Sequence, residues 1–308
     1  MRVYERNYPL SIGIALGTLF TLLAVFGPTL APHDPMEANT VVIVGGESYI
    51  PPLRPFTVKG FPLGSDEAGR DLLSRIVWGI RPTLLMALLV VAARVAVGVP
   101  LGLMAGWYRG PTERIIDAVI GVSLAIPMLV FSLAVISFLR QYDDRLIVYV
   151  VALALIGWAD TAAFVKHRAL TIGQAPYIES ARAIGVKPSG ILWRYVLPQL
   201  SPVLPTLIAF ELGSVTLLVA ELGFLGVYIG GGFIYEVARG DTAGTYQILT
   251  SGYPELGQLL SDVWAKIIIV PWAILFVGSV IFVEIFAFNM LGEGLRRHMD
   301  VPRPRRGW

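Results

Sequence analysis

The sequence predicts an all-α polytopic membrane protein, with six transmembrane helices joined by extended external loops. Apolar residues make up 55% of the 308-residue chain and charged residues only 15%, a balance that would leave a soluble domain with large exposed patches. Mean hydropathy is +0.69, and the apolar residues fall in blocks long enough to cross about 30 Å of hydrocarbon. Lys and Arg collect in alternate connections between these blocks, as basic segments retained on the cytoplasmic side do.

The first block, Leu10 to Leu30, follows Arg2 and Arg6. Its apolar stretch of about twenty residues lacks a small-x-small cleavage site, so residues 1–30 read as a cytoplasmic tail and an uncleaved first helix. An external loop over 31–82 follows, rich in Gly45, Gly46, Pro51, Pro52 and Pro55, with Val41 to Val44 expected as one strand of a short hairpin. Five further spans, Thr83–Trp107, Ile115–Leu139, Leu146–Val165, Ser201–Gly223 and Ile267–Leu291, form a core over 83–291. Within it, 224–266 is a second external loop, where Gly230, Gly231 and Gly232 favour a turn over a regular element. Residues 292–308 form a basic tail.

Orientation follows from the basic residues. With Arg2, Arg109, Arg114, Lys166, Arg168, Arg194, Arg296 and Arg305 inside, the opposite segments hold Asp34, Glu37, Asp66, Asp71, Asp143 and Asp144. Both termini are then cytoplasmic, in a multi-pass protein of the cell (inner) membrane.

Other chemistries are excluded by what the chain lacks. There is no cysteine, hence no disulfide, thiolate nucleophile or cysteine metal site. His33, His167 and His298 lie far apart, each beside an apolar block, so they read as solvated side chains and no metal site is expected. A net charge of +2 is too small to point to nucleic acid. No Gly-x-x-x-x-Gly-Lys-Ser/Thr loop is present, so this chain does not cradle ATP by that device, and no Gly-x-Ser-x-Gly or histidine cluster marks an enzyme.

The longest inside connection, 166–200, reads as two short helices with a break. Pro176 suits a first helical turn, Glu179 complements the N-terminal dipole, Ala181 and Ala183 propagate the helix, and Gly185 stops it. Pro188 restarts it and Pro198 is expected to end the second piece. There Ile191, Leu192, Tyr195 and Val196 share one face, which would hold that piece against the membrane domain while the first projects into the cytoplasm. Taken alone, the pattern also fits an ordinary amphipathic loop.

Glu179-Ser-Ala-Arg-Ala-Ile-Gly185, followed by Leu197-Pro198, resembles the EAA loop of ABC importer permeases. Pro62-Leu-Gly-Ser-Asp-Glu-Ala-Gly-Arg-Asp-Leu-Leu-Ser-Arg75, Phe224-Leu-Gly226 and Phe288-Asn-Met-Leu-Gly-Glu-Gly-Leu-Arg296 are similar to the dipeptide, oligopeptide and nickel branch, as is Ala31-Pro-His-Asp-Pro35. Ser180 stands where the family usually has alanine, Tyr195 replaces a common histidine, and Tyr228 to Gly252 has the look of an insertion. The resemblance implies a type I importer permease fold and a transport subunit, not an enzyme, forming half of a path for di- or oligopeptides. It implies a homologous sister permease, two ATPase chains that carry ATP and Mg, an external solute-binding protein, and no cofactor on this chain. Tyr177, Glu179, Ser180, Ala181, Arg182, Ala183 and Gly185 are then the residues expected to couple to the ATPase. Nickel and oligosaccharides remain open as cargo.

Arg94, Asp160, Glu211, Glu221 and Glu284 lie in or at the ends of spans, where an unpaired charge costs about 2.5–3.5 kcal/mol on insertion scales. Arg94 and Glu211 both fall near mid-span and are expected to pair. Arg94, Glu211 and Glu221 are candidates for structural pairing, for the translocation path or for proton coupling. The alternative function, an ion-coupled secondary transporter, would use such carboxylates together with paired repeats of broken helices. No internal repeat is visible.

Overall fold

A computed structural model describes residues 7–139, 146–229, 232–238, 245–251 and 253–300. Arg2, Asp143, Asp144, Gly230, Gly231 and Arg305 fall outside them. Among the described residues, five helices are long and apolar enough to cross a membrane, and a bent pair makes a sixth crossing when taken as one span.

The first helix, α1, runs Tyr8–Leu30, with the Asn7 side chain accepting from Leu10 N–H at its start. The expected hairpin follows: β1 (Val42–Val44) pairs antiparallel with β2 (Glu47–Tyr49). Gly45 and Gly46, with φ of 64° and 88°, make the two-residue turn that needs positive φ at both positions. Behind the hairpin, Val42, Leu53, Val58 and Phe61 form a small core of their own. His33 is part of this unit, stacked 4.5 Å from Phe61 and 3.5 Å from Asp71 Oδ2, so it is half-buried and not the solvated side chain expected.

The second helix, α2, spans Leu72–Trp107 and begins well before the expected Thr83. Asp71 caps it, its Oδ2 accepting from Ser74 N–H at 3.0 Å, and Pro82 and Pro100 lie inside the helix. Prolines are tolerated in membrane helices because neighbours re-satisfy the carbonyls they free. The loop after α1 therefore ends at 71, not 82.

The expected span Ile115–Leu139 is broken. Helices α3 (Pro111–Ala125) and α4 (Met128–Leu139) meet at 88°. Pro127 has no N–H to donate and disfavours helical backbone at Ile126, which is extended (φ −94°, ψ 124°).

Helix α5 (Leu146–Gly173) continues past Val165 and packs closely along α2. The contact runs through Gly98, Gly102 and Gly106, where an added Cβ would meet the carbonyls of Trp158, Ala162 and Lys166 respectively. Small residues at four-residue spacing let membrane helices approach at backbone distance.

Beyond α6 (Pro176–Ala183) the chain rises as one helical rod over Pro188–Phe224. It comprises α7 (Pro188–Ile191), a π turn (Leu192–Val196), α8 (Leu197–Leu200), a 3-10 turn (Ser201–Val203) and α9 (Leu204–Phe224). Pro198 thus does not end the second piece. The π turn before it and the 3-10 turn holding Pro202 shift the hydrogen-bond register where proline N–H groups are missing.

After α9 the strands β3 (Gly232–Ala238) and β4 (Thr245–Ser251) pair antiparallel, with Gly232 opposite Ser251. This corrects the expectation of a glycine turn without regular structure: the β-branched and aromatic sequence of 233–237 and 245–250 outweighs one terminal glycine. Next come α10 (Leu256–Leu259), α11 (Val263–Ile269) and α12 (Pro271–Asp300). The expected span from Ile267 is interrupted at Val270, and the region assigned to a tail from 292 is helical to Asp300. Helix α12 lies against α1, where a Cβ on Gly13 or Gly294 would overlap Leu291 or Leu10 backbone, and Asn7 Nδ2 donates to Gly294 O at 2.7 Å.

Candidate functional site

The short helix α6 is built as an anchored knob. Ile178 and Ala181 are buried in a cluster with Val165, Ala169, Ile191, Val196 and Leu200, while Tyr177, Glu179, Ser180, Arg182, Ala183 and Gly185 are exposed. Of the seven residues expected at this site, Ala181 alone turns inward. Gly185 ends the helix in the left-handed region (φ 82°), with its N–H on Arg182 O and Val186 N–H on Ala181 O, a Schellman cap. Leu192 and Tyr195 pack on the same cluster, so both pieces of the connection rest on one base.

Between α6 and the C-terminal ends of α2 and α5 lies an open cleft of about 660 Å³, bordered by Trp107, Tyr108, Arg109, Glu179, Arg182 and Pro188. The Arg182 guanidinium sits 5.3 Å above the Trp107 ring, a cation–π contact that ties the knob to the end of α2. Trp107 was missed in the sequence because nothing local distinguishes it from an interfacial anchor.

The spans hold a buried ionic site. Arg94 Nη1 lies 2.9 Å from Glu211 Oε2, with Arg94 1% and Glu211 8% exposed. Glu211 Oε1 accepts from Thr161 Oγ1 at 3.2 Å, and Arg94 Nε and Nη2 donate to Leu153 O at 3.1 and 3.0 Å. A Cβ at Gly157 would overlap the guanidinium, so a glycine is required where the arginine crosses α5. Glu221 does not join this pair; it is exposed near the end of α9, beside Phe224, Leu225 and Leu260. Asp160 is exposed on α5, and Glu284 is fully buried on α12 with neither carboxylate oxygen hydrogen-bonded.

Two constellations outside the spans escaped the sequence reading. Asp66 Oδ2 lies 2.7 Å from Arg70 Nε and 3.4 Å from Arg75 Nε, and Arg75 Nη1 donates to Pro35 O, so the stretch Pro62–Arg75 folds as a buried ionic knot. Lys266 donates to Leu259 O; burial pushes its ammonium down, opposed by the charges of Glu67 and Asp66. Glu255 caps α10 in a reciprocal box with Gln258 and accepts from Thr83 Oγ1 on α2. Burial raises its carboxyl from 4.5 to about 7, against the hydrogen bonds from Gly257, Gln258 and Thr83. The Glu-x-x-Gln spacing was readable as a cap, but no long apolar run followed to mark a helix.

A helical multi-pass domain with buried interhelical charges, carrying one capped helix outside its spans, has the build of a membrane transport subunit worked by a partner. Residues 98–287 match the model of the binding-protein-dependent transport system inner membrane component, and the chain belongs to this family of ABC permease subunits. It is 27% identical over 297 residues to the dipeptide transport system permease protein DppC of Haemophilus influenzae, covering 96% of this chain and 92% of that protein. It is 31% identical over 238 residues to the glutathione transport system permease protein GsiD of Pectobacterium atrosepticum, covering 77% and 71% respectively. In fold it is similar to a chain of the MetNI methionine ABC transporter in an inward-facing conformation. That likeness has a TM-score of 0.53 at 18% identity, over 74% of this chain and 97% of the other, and it places the fold among type I importer permeases.

Proposed function

We propose that this subunit forms half of a translocation path for di- or oligopeptides, paired with a homologous sister permease. Two ATPase chains on its cytoplasmic side supply ATP and Mg chemistry, and an external solute-binding protein delivers the cargo. Both termini lie in the cytoplasm, and the membrane is the inner membrane. The relatives' peptide and glutathione cargo supports this substrate class. The observation that carries the coupling reading is the exposed face of α6, rooted in a buried cluster and closed by Gly185 at positive φ. Closure of the ATPase pair pushes this knob through Tyr177, Glu179, Ser180, Arg182 and Ala183, with Ala181 as its root, and the bundle opens outward. Arg94 and Glu211 hold the bundle together at mid-span, and Glu221 faces the path.

Purification through a tag on this chain tests the assembly: ATPase chains and a second permease are expected to come with it, and a lone homo-oligomer would reject the reading. Gly185→Pro tests the coupling. Proline fixes φ near −65° and cannot adopt the positive φ found here, so the cap is lost while the spans stay intact. Membrane insertion is expected to be normal and ATP-dependent uptake abolished; normal uptake would refute the assignment.

A further inference from the structure

Arg94 reaches beyond its ion pair. Its Nη2 lies 3.2 Å from the sulfur of Met128, the first residue of α4, immediately past the 88° break in the α3–α4 span. One guanidinium on α2 therefore joins α9 through Glu211, α5 through Leu153 O and α4 through Met128. The three contacts are unequal. The carboxylate and carbonyl bonds are strong and shield the buried charge, whereas a thioether is a weak acceptor. Helix α4 fully encloses Ser132 and Ile136 and rests Leu129, Leu133, Val135 and Leu139 partly buried on the main core, while Ser137 and Phe138 are exposed.

We propose that the Arg94–Met128 contact is a latch on the bend of the α3–α4 span, and that its release lets α4 swing about Ile126–Pro127 to open the translocation path. The inference rests on the permease reading. Release leaves Arg94 on Glu211 and Leu153 O, so no bare charge is created in the bundle, and the two positions of α4 differ by one weak bond and its packing. Ile126 is already extended, so the break can change angle without unwinding either helix. Arg94 and Met128 are thus positioning residues for the gate, and Gly157 is the space that lets the guanidinium reach across.

The test uses the whole transporter in lipid, spin-labelled at Val122→Cys on α3 and Ser137→Cys on α4, both exposed, in a chain with no cysteine of its own. Ser137 is ten residues beyond the break, so a 20° swing moves it by roughly 5 Å at about 1.5 Å of helix per residue. The distance distribution is read for the native sequence, for Met128→Leu, which keeps the volume and removes the acceptor, and for Arg94→Gln. Met128→Leu is expected to raise the displaced population about twofold to fivefold, the low end of the range for losing one net hydrogen bond, as fits a weak acceptor. An unchanged distribution in assembled Met128→Leu complex would overturn the latch, whether or not Arg94→Gln assembles, because the ion pair is intact there. Failure of the permease reading shows separately, as purified complex without ATPase chains.

Discussion

Gly102→Ala measures how tightly α2 and α5 are fused. The new Cβ would overlap the Ala162 carbonyl oxygen and stand 2.8 Å from Val165 Cβ. Carbon atoms rest at about 3.5–4.0 Å, so the helices must part by roughly 1 Å. Forced overpacking of this kind costs about 1–3 kcal/mol. The strain also reaches Gly98 and Gly106, which approach the same helix one turn away on either side. Gly17→Ala is the control: nothing lies within 4 Å of its Cβ, and replacing glycine in a helix gains up to about 1 kcal/mol. The propensity gain is common to both variants, so they should differ by the overpacking cost, about 1–3 kcal/mol. At about 2–4 °C per kcal/mol for a chain of this order, thermal midpoints of the detergent-solubilised complex should separate by roughly 2–12 °C. Midpoints that agree to about a degree would refute the backbone-distance contact.

The buried pair is tested by Arg94→Gln, Glu211→Gln and the double variant. Each single change strands a charge enclosed in protein, at a cost of about 3–5 kcal/mol, and the double is expected to recover much of that loss; purely additive effects on assembled yield would sink the pairing. For Glu255, the folded value of about 7 lies above the ordinary 4.5. The stabilisation is fully present below 4.5 and is lost as pH rises through 7, a change of about 3 kcal/mol at 1.36 kcal/mol per pH unit. The thermal midpoint of the complex should fall between pH 5 and 8, and the fall should shrink in Glu255→Gln; equal slopes in the two proteins would remove Glu255 as its cause.

What was legible in the sequence is what depends on composition and local order. Helix α1 and the C-terminal end of α2 at Trp107 follow from the length of their apolar runs. The cap of α6 at Gly185 follows from glycine's freedom at positive φ, and the hairpin turn at Gly45–Gly46 from the same freedom. Prolines misled in both directions. Pro82 and Pro198 were read as boundaries and lie inside helical segments, while Pro127, inside an unbroken apolar run, makes the sharpest bend. A soluble rule was at fault, since in a membrane the surrounding helices decide whether a freed carbonyl finds a partner. The mutual approach of Arg94 and Glu211 was accessible because unpaired charge at mid-span is costly. Their contacts on Leu153 O, Thr161 and Met128, and the need for glycine at 157, depend on tertiary geometry that no spacing encodes.

Under the coupling proposed for α6, the distribution of contacts along α2 limits how a push on that helix can travel. At the C-terminal end of α2 Trp107 carries Arg182 of the knob; at mid-span Arg94 holds Glu211; in its N-terminal part Thr83 bonds Glu255 and Leu256 N–H, and Arg75 reaches Asp66 of the ionic knot. The glycine contact between α2 and α5 has backbone against backbone, with no side-chain layer to absorb sliding, so these helices must move together. The contacts of α2 with α9 and α4 instead include the long side chain of Arg94, held firmly on Glu211 and only weakly on Met128. A force entering at Trp107 would then emerge as relative motion where the contacts are long, flexible and polar, and Met128 is the weakest of those. On that argument the glycine stripe makes α2 and α5 a lever, and the guanidinium is the joint at which the lever meets the rest of the bundle.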